Sequence, residues 1–598
     1  MCGIVGYTGV EAAAPILLGG LEKLAYRGYD SAGLALTQDG GICCDRAAGK
    51  LGELISLTKG GRVYHGNTGI GHTRWATHGA PNATNAHPHL SQRGTVAVVH
   101  NGIIENWRSL KDRLASAGYI FSSDTDTEVI PHLLEGYLEE GESPLGAILK
   151  MIQEVRGAYA LGILFASQPE EVWCVRRQSP LIVAEGERGC YLASDVPAVL
   201  DYTRAVYYLE EGEVARLSPQ GVTFYHEGGQ VVTHTPTRIL WEAGAASKGV
   251  YDTYMEKELF EIPTAIRQTI SQAERQGFSA PLGEVDGICV IGCGSAYHVG
   301  MVGKYLIEER LGIPVLCESA SEVRYRTPPL TPHALGLAIS QSGETADTLV
   351  AVRQMKHRGV KTLGVVNVYG SSIARECDHV FYTQAGPEIA VATTKAYCAQ
   401  ACGVYLLLSA LLKNRGKIEE GLALETAVRG LPACVEEVLT LKEILTGYAR
   451  MLREAKNAFF IGRGLDYAVC MEGALKLREI TYLHAEAYAA GELKHGTISL
   501  IEKGVPVVAV LTQPHVADKT LSAVEEVRAR GGEVILFADS NIPLPKDTPY
   551  VVRFSAPNSD TAPLVAAVAM QYLAYLTCRE KGLDPDQPRN LAKSVTVE

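Results

Sequence analysis

Several common features are missing from this 598-residue chain, and each absence excludes a class of protein. The 14 cysteines have no paired spacing, which argues against a disulfide framework and favours reduced thiols. No HExxH or CxxC pattern accompanies the histidines between His65 and His100. We therefore predict no metal site and no cofactor.

Export and membrane signals are missing as well. No basic region followed by an apolar stretch opens the chain, and Lys23, Arg27 and Asp30 interrupt any candidate anchor. The longest apolar runs, 403–412 and 563–578, are too short or too mixed to span a bilayer, so we predict buried helices there. We expect a cytoplasmic protein that uses no membrane.

Excess positive charge is also missing. The formal net charge is -12 at pH 7, and nucleic acid is excluded as the default partner because phosphate binding needs a basic surface. Any anionic ligand must therefore be held by local donors. The composition, 46% apolar and 20% charged, is that of a globular protein, and the length predicts roughly three to five domains.

The first residues contain a candidate nucleophile. Cys2 follows Met1 and is small enough for methionine removal, so we expect a mature chain whose first residue has both a thiol and a free α-amine. An α-amine with a pKa near ~8 accepts a proton at neutral pH, and the thiolate is the attacking form. Alternatively, Cys2 is a small buried residue that opens an edge strand.

The pattern of residues 1–240 predicts a mixed α/β unit with layered sheets. Strands are predicted at 3–7, 33–37 and 95–100, and helices at 12–24, 107–117 and 128–138. Three loops between these elements are denser in polar residues than turns require. They are GHTRWATHG at 71–79, HNGIIEN at 100–106 and SDTDTE at 123–128.

Together, these loops meet the needs of an amino-acid substrate. Such a substrate requires a cation for its carboxylate, a carboxylate for its ammonium, and donors for the oxyanion that forms when a thiolate attacks an amide. Arg74 and Asp126 meet the first two needs. The Asn101 side chain and the Gly102 backbone amide meet the third. Taken singly, the loops are also compatible with a solvated loop, an Asn-Gly turn and a helix N-cap.

The same segments resemble the glutaminase domain of the class II glutamine amidotransferases, which are N-terminal nucleophile enzymes. The resemblance rests on five motifs in colinear order: CGIVGYTG at 2–9, YRGYDSAG at 26–33, HTRWATHG at 72–79, HNGIIEN at 100–106 and DTDTE at 124–128. It implies an αββα sandwich over residues 1–240 that hydrolyses glutamine to glutamate and ammonia, with Cys2 as nucleophile.

The resemblance also assigns roles to the loop residues. It implies that glutamine is bound by Arg74, Thr77, His78 and Asp126. It implies that Asn101 and Gly102 stabilise the oxyanion and that Trp75, beside Arg74, is a candidate gate for ammonia. An aromatic residue in a loop is more often simple packing, which is the alternative for Trp75.

From about residue 286, apolar strands alternate with helices, and the pattern occurs twice. The segment ICVIGCG at 288–294 returns 170 residues later as AFFIGRG at 458–464. The strands at 336–339 and 364–367 return at 507–510 and 533–536. We predict two doubly wound parallel-sheet domains, 286–425 and 455–585, preceded by a helical linker at 241–285 and followed by a tail at 586–598.

In the first copy, a predicted strand runs into Ser340-Gln341-Ser342-Gly343-Glu344-Thr345, and a helix follows at 346–357. Hydroxyls and backbone amides at such a turn form an anion cradle that the helix dipole strengthens. A helix N-cap, the alternative, needs one hydroxyl, whereas this loop has three within six residues. The matching turn at 512–515 lacks the pattern, so we predict one phosphate per chain.

The second copy concentrates ionisable groups. Lys476 and Glu479 are spaced i, i+3 on one helix face, and the segment 486–496 adds further acid-base candidates, among them His495. The alternative for the Lys476–Glu479 pair is a surface salt bridge.

These segments resemble the paired sugar isomerase domains of glutamine-dependent sugar-phosphate aminotransferases. The matching stretches are SQSGETADT at 340–348, SSIARE at 371–376, ALKLREI at 474–480, HAEAYAAGELKHG at 484–496 and DQPRNLAKSVTVE at 586–598. With the first domain, the resemblance covers essentially the whole chain. It implies transfer of ammonia from glutamine to fructose 6-phosphate with isomerisation, giving glucosamine 6-phosphate, and a homodimer formed through the isomerase domains.

By that resemblance, Glu479 moves a proton between C1 and C2 of the sugar and Lys476 assists at the sugar oxygens. His495 helps to open the ring, and Lys593 forms a Schiff base with the C2 carbonyl. The sugar-phosphate site is implied to consist of Cys293, Gly294, Ser295, Ser340, Gln341, Ser342, Thr345, Val391 and Thr393. The chain departs from the family pattern at Ala296, where a second hydroxyl residue is typical.

Two other functions remain open on the sequence. A glutamine-dependent transferase acting on a ribosyl pyrophosphate uses the same first domain, but it needs an acidic pyrophosphate-binding motif that we do not find. A sugar-phosphate sensor would only bind its ligand. The acid-base residues Lys476, Glu479, His495 and Lys593 argue against that reading.

Overall fold

The computed structural model describes residues 2–75, 78–239, 247–278 and 285–596. Met1 and Thr77, two positions on which the sequence predictions fall, lie outside the described residues. The chain divides into two compact units, one of Met1–Ala246 with Ala592–Glu598 and one of Ser247–Leu591.

The first unit is rich in strands. Its strands are β1 (Gly3–Gly9), β2 (Ser31–Gln38), β3 (Gly41–Ala48), β4 (Thr68–Arg74), β5 (His89–Leu90), β6 (Val96–Ile104), β7 (Gly157–Phe165), β8 (Val172–Arg177), β9 (Ile182–Gly186), β10 (Gly189–Ala193), β11 (Ala205–Tyr208), β12 (Val214–Ser218), β13 (Gly221–Tyr225), β14 (Val231–Val232) and β15 (Thr237–Arg238). Its helices are α1 (Ala13–Lys23), α2 (Leu51–Leu57), α3 (Trp107–Ser116), α4 (Val129–Glu139), α5 (Pro144–Glu154) and a 3₁₀ turn, Val196–Ala198.

These strands form two antiparallel sheets that pack face to face. One sheet has the order β15-β11-β9-β10-β1-β4-β2-β3 and the other β14-β13-β12-β8-β7-β6-β5. Strand β6 shows why the layers form, because successive side chains of a strand point to opposite faces. Ala97 and Val99 pack between the sheets with Ile4 and Ile70, whereas Val96 and Val98 belong to the cluster that contains α3, α4 and α5.

Helix α1 packs on β1 and β4 and so covers the outer face of the sheet that contains them. The predicted αββα sandwich is therefore confirmed. The predicted strands and helices of this unit also exist, with ends within a few residues of the expected positions.

The second unit alternates strands and helices. Its strands are β16 (Gly287–Gly292), β17 (Val315–Ser319), β18 (Ala334–Ser340), β19 (Lys361–Val366), β20 (His379–Tyr382), β21 (Asn457–Gly462), β22 (His484–Ala489), β23 (Pro506–Leu511), β24 (Glu533–Asp539) and β25 (Val551–Phe554). Its helices are α6 (Tyr254–Gln276), α7 (Ser295–Leu311), α8 (Ala320–Val323), α9 (Ala346–His357), α10 (Ser372–Glu376), α11 (Lys395–Asn414), α12 (Ile418–Leu439), α13 (Lys442–Arg453), α14 (Leu465–Thr481), α15 (Ala517–Arg528) and α16 (Ala562–Glu580), with 3₁₀ turns at Glu492–His495, Thr497–Leu500 and Pro514–Val516.

The strands of this unit form two parallel sheets with the same topology. The orders are β17-β16-β18-β19-β20 and β22-β21-β23-β24-β25, so in each copy the first strand lies between the second and the third. The predicted duplication is confirmed. In such a sheet the strand order reverses between the first and third strands, and ligands bind at the carboxyl ends of those two.

Helix α6, interpreted from sequence as part of a linker, packs inside the second unit. The Thr253 hydroxyl caps it by accepting the Glu256 amide at 3.2 Å. Its apolar face consists of Met255, Leu259, Ile262, Ile266 and Ile270. This face packs against α11 and α12, because apolar residues spaced three and four apart form one stripe on a helix.

Both long apolar runs form buried helices, as predicted. Helix α11 is the one described helix long and apolar enough to cross a membrane, with a mean hydropathy of 1.3 in its best window, and 94% of that window is buried inside the protein. The run at 563–578 lies in α16, which is buried along almost its whole length. A helix that is apolar all round and covered by its own protein belongs to a core.

Candidate active sites

Cys2 is positioned by the pairing of β1 with β4. The register places Gly3 opposite Thr73, so the residue before β1 lies beside the end of β4. The Trp75 amide donates to the Cys2 Sγ at 3.2 Å, and the thiol points back at the Trp75 carbonyl, 3.5 Å away. Burial raises the pKa of the Cys2 thiol, although the Trp75 amide acts in the opposite direction. The thiol therefore needs a base close by to become a nucleophile.

Asn101 and Gly102 reach the same place from the second sheet. The Asn101 Nδ2 donates to the Cys2 carbonyl oxygen at 2.9 Å. Gly102 has a φ of 133°, and a Cβ there would lie 1.9 Å from the Ala158 carbonyl oxygen. Only glycine fits this position. Asn101 and Gly102, the predicted oxyanion donors, therefore lie on one strand beside Cys2, the predicted nucleophile.

Asp126 lies in the loop before α4, beside the end of β6. The Ile104 amide donates to its Oδ2 at 2.7 Å, and the carboxylate is buried. Burial lowers the pKa of Arg74, and the negative charge of Asp126 is among the charges that act in the opposite direction. Arg74 and Asp126 are therefore close enough to interact, as the two ends of a bound amino acid would require.

Arg74 is already engaged by backbone. Its guanidinium donates to the carbonyl oxygens of His78, Gly79 at 3.2 Å and Ala80 at 3.3 Å. The structure thus brings Arg74, His78 and Asp126 to one region around Cys2. Trp75, half-buried, packs edge-on against Tyr29 with ring centroids 5.5 Å apart.

The loop 340–345, which is predicted to bind phosphate, lies between β18 and α9. The Ser340 hydroxyl accepts the Gly343 amide at 3.0 Å and lies 3.3 Å from the Thr345 hydroxyl. The Ser342 hydroxyl accepts the Glu344 amide at 3.1 Å. Gly343 has a φ of 66°, and a Cβ there would lie 1.9 Å from the Ser371 Oγ, so this position too requires glycine.

A second loop, after β16, faces the same edge of the sheet. It contains Cys293, Gly294 and Ser295, and the Cys293 Sγ lies 3.8 Å from the hydroxyl of Thr348 on α9. The two loops follow the first and third strands, which is where doubly wound sheets bind ligands. Gln341 and Thr393 are half-buried, and the buried Val391 donates its amide to the Asp586 carbonyl at 3.2 Å.

In the second copy, the carboxyl group of Asp466 contacts the turn that matches the predicted phosphate loop. The buried Asp466 accepts the Thr512 amide on Oδ2 at 3.0 Å and the Thr512 hydroxyl on Oδ1. Burial raises the pKa of Asp466 to about 7. By the offset of the repeat, Thr512 corresponds to Gln341 of the predicted phosphate loop, and in this copy a carboxylate of the chain itself accepts the donors of the turn.

The Lys476–Glu479 pair is not on the surface. The Lys476 Nζ lies 2.5 Å from the Glu479 Oε2, and the lysine side chain is 1% exposed. Burial lowers the pKa of Lys476, but the carboxylates of Glu479 and Glu472 outweigh it, so the pKa lies above its usual value. The alternative prediction of a surface salt bridge is therefore wrong, because α7 and α16 cover helix α14.

Glu472 connects the two copies and was missed from sequence. It is fully buried and accepts the Ser295 hydroxyl at 3.0 Å, while its other oxygen lies 2.9 Å from the His298 Nδ1. It also lies 3.6 Å from the Lys476 Nζ. The only sequence signal was its position one turn before Lys476 on the same helix face.

Two predicted catalytic residues remain, His495 and Lys593. His495 is exposed at the end of a 3₁₀ turn, and among the described residues it has no hydrogen bond to Lys476 or Glu479. Lys593 lies in the stretch that groups with the first compact unit, whereas Lys476 and Glu479 belong to the second. The roles of His495 and Lys593 stay predictions.

Two family models match the chain. A glutamine amidotransferase domain matches residues 72–201, and a SIS domain matches residues 282–410 and again 451–578. The repeated match falls on the two parallel sheets. The first match falls on the unit that contains Cys2.

Relatives match over the whole length. The glutamine–fructose-6-phosphate aminotransferase [isomerizing] of Clostridium acetobutylicum is 47% identical, and that of Caldanaerobacter subterraneus subsp. tengcongensis is 45% identical, each over 100% of both chains. The solved C-terminal domain of glucosamine-fructose-6-phosphate aminotransferase from Francisella tularensis is 38% identical, with a TM-score of 0.55, over 57% of this chain and 100% of that one.

Proposed function

The chain belongs to the glutamine–fructose-6-phosphate aminotransferase (isomerizing) family, and on that premise we propose how its residues carry out the reaction. The enzyme hydrolyses glutamine and transfers the ammonia to fructose 6-phosphate with isomerisation, giving glucosamine 6-phosphate and glutamate. The observation that carries the assignment of sites is the hydrogen bond from the Asn101 amide to the backbone carbonyl of Cys2 in one unit. The other unit holds the sugar-phosphate loops and the buried Lys476–Glu479 pair.

Glutamine is hydrolysed at Cys2. Once Met1 is removed, the α-amine of Cys2 takes the thiol proton, and the thiolate attacks the side-chain amide carbon of glutamine. The Asn101 Nδ2 and the Gly102 amide donate to the oxyanion. The amine then gives its proton to the leaving nitrogen, ammonia departs, and water hydrolyses the thioester to release glutamate.

The amino-acid end of glutamine is bound by charge. Arg74 exchanges part of its contact with the 78–80 carbonyls for the substrate carboxylate, and Asp126 pairs with the ammonium. Thr77 and His78 complete this binding loop. Trp75 lies next to both Arg74 and the Cys2 sulfur, which suits a gate for ammonia.

The sugar is bound and rearranged by residues of the second unit together with Lys593 of the tail. The loops at 293–295 and 340–345, with Val391 and Thr393, hold the phosphate and sugar. Lys593 forms a Schiff base at C2, which ammonia displaces by transimination. Glu479 takes a proton from C1 and returns it to C2 while Lys476 assists at the sugar oxygens, and His495 opens the ring.

Two further properties belong to this proposal. The enzyme acts as a homodimer through its isomerase domains, and it works in the cytoplasm, where its cysteines stay reduced. All 14 cysteines are free.

Product analysis with glutamine and fructose 6-phosphate tests the proposal. The wild-type enzyme should form glucosamine 6-phosphate and glutamate in equal amounts. Cys2→Ala should release no glutamate from glutamine yet still bind fructose 6-phosphate, because nucleophile and phosphate loops lie in separate units. Mass spectrometry of active enzyme should show a chain without Met1. Active enzyme that retains the methionine would refute the role of the α-amine.

A further inference from the structure

His72 is a buried histidine that the glutaminase mechanism above does not use. It lies on β4 opposite Ile4 of β1 and is 0% exposed. Its Nε2 lies 3.0 Å from the His100 carbonyl oxygen and 3.1 Å from the Asn101 Oδ1. It therefore touches the side chain that is proposed to stabilise the oxyanion.

The tautomer of His72 follows from these contacts. A backbone carbonyl only accepts hydrogen bonds, so the Nε2 that faces the His100 carbonyl must carry a hydrogen. That N–H can face only the oxygen of the Asn101 amide, not its NH₂ group. The Asn101 nitrogen is thereby directed to the Cys2 carbonyl, where the structure has it at 2.9 Å.

The charge of His72 is also defined. Its Nδ1 is buried without a hydrogen-bond partner among the described residues, so a proton on that atom would be an unpaired buried donor. Burial lowers the pKa of His72 to about 3. The imidazole is neutral at working pH, with one donor in a fixed direction.

The ring itself is held in place. It stacks on the His87 ring with centroids 4.2 Å apart and an interplanar angle of 19°. The His87 Nδ1 in turn accepts the His100 amide at 3.2 Å. The ring that orients Asn101 is thus fixed against the same strand, β6, from which Asn101 projects.

We propose that His72 is a positioning residue for glutamine hydrolysis, whose Nε2–H holds the Asn101 amide with its NH₂ group toward Cys2 and the developing oxyanion. This inference rests on the proposed role of Asn101 as an oxyanion donor. A flipped Asn101 amide would set its NH₂ against the His72 N–H and its oxygen against the Cys2 carbonyl, and it would offer no donor to the oxyanion. Without His72, one of these two repulsions disappears, so the flipped orientation costs less free energy and is populated more.

Two variants of the full-length enzyme separate the donor from the packing. His72→Phe keeps a ring against His87 but has no donor, whereas His72→Gln keeps an N–H donor at similar reach but has no ring. Removal of an oxyanion donor lowers kcat about 10²–10³-fold, so Asn101→Ala should lose that much glutaminase activity. His72→Phe should lose about tenfold or more in kcat with the KM for glutamine within about twofold, because the amide is misdirected rather than absent.

His72→Gln should recover most of the lost kcat. The double variant His72→Phe with Asn101→Ala should be no slower than Asn101→Ala alone, because His72 acts only through that amide. A purely structural role would instead lower kcat by the same factor in both backgrounds. The pH profile of kcat/KM should be unchanged in His72→Gln, since a neutral His72 contributes no titration.

The outcomes separate the two hypotheses. If Asn101→Ala keeps full kcat, the proposed role of Asn101 fails. If Asn101→Ala is slow but His72→Phe is as fast as the wild type, or if the losses in the double variant multiply, the positioning role alone is refuted. Failure of both His72 variants to fold, judged by thermal melting, also counts against it, because it would assign His72 to the core of the unit.

Discussion

Asp466 gives the sharpest prediction about pH and stability. Its carboxylate is 1% exposed, and burial raises its pKa from 3.8 to about 7. The folded protein thus binds this proton more tightly than the unfolded chain does. The resulting stability is fully present below about pH 3.8 and is lost as the pH rises through about 7.

The magnitude follows from the shift. A difference of about three pKa units at about 1.36 kcal/mol each corresponds to about 4 kcal/mol once the group is fully ionised. With these two pKa values, about 2–3 kcal/mol of that is lost between pH 5 and pH 8. Asp466→Asn removes the titration and keeps hydrogen bonds to Thr512, because an amide can accept from the Thr512 N–H and donate to the Thr512 hydroxyl.

The assay is denaturant unfolding of wild type and Asp466→Asn at pH 5 and pH 8, with a probe in the second unit. The wild type should lose about 2–3 kcal/mol relative to the variant over this interval. Asp539→Asn, at another buried aspartate at the end of β24, is the matched control. Equal differences between wild type and Asp466→Asn at the two pH values would refute the reasoning.

Three further predictions concern the sites themselves. Ser342→Ala or Thr345→Val should weaken fructose 6-phosphate binding by roughly 1.5–3 kcal/mol, because each removes a hydrogen-bond donor to a charged oxygen. Glutamine hydrolysis measured alone should change little, and unchanged sugar-phosphate affinity in both variants would rule out the loop. Glu472→Gln should slow glucosamine 6-phosphate formation about tenfold, because a neutral amide holds Lys476 less strongly. The glutaminase kcat should be unchanged, and a wild-type rate of sugar product formation would assign Glu472 to packing. Trp75→Ala should keep much of its glutamine hydrolysis but form less sugar product per glutamate, and a wild-type product ratio would place the ammonia gate elsewhere.

The fold was predictable where a local pattern determines it. The alternation in β6 places Val96 and Val98 on one face and Ala97 and Val99 on the other, and the structure has the two pairs in different cores. The repeat of apolar strands 170 residues apart likewise predicted two sheets of one topology. Both signals can be read from the order of residues in the sequence, so no tertiary information was needed.

The contacts that were missed depend on residues far apart in sequence. Glu472 meets Ser295 and His298 across more than 170 positions, and nothing near either segment indicates this. The spacing of Lys476 and Glu479 predicted their pairing, but their burial depends on helices that cover α14. For α6, the sequence predicted only a helical linker, whereas the apolar stripe determines where the helix packs.

The two copies of the parallel sheet have diverged at one equivalent turn, and the divergence supports the prediction of one phosphate per chain. In the first copy the residue after Gly294 is Ser295 and the next is Ala296, whose side chain brings no carboxylate to the turn at 340–345. In the second copy the position equivalent to Ala296 is Asp466, whose carboxylate already accepts from the Thr512 amide. A phosphate there would meet a buried carboxyl group that already accepts the amide and hydroxyl of Thr512. The second copy contributes α14, where the buried Glu472 contacts both Lys476 of its own helix and Ser295 of the first copy.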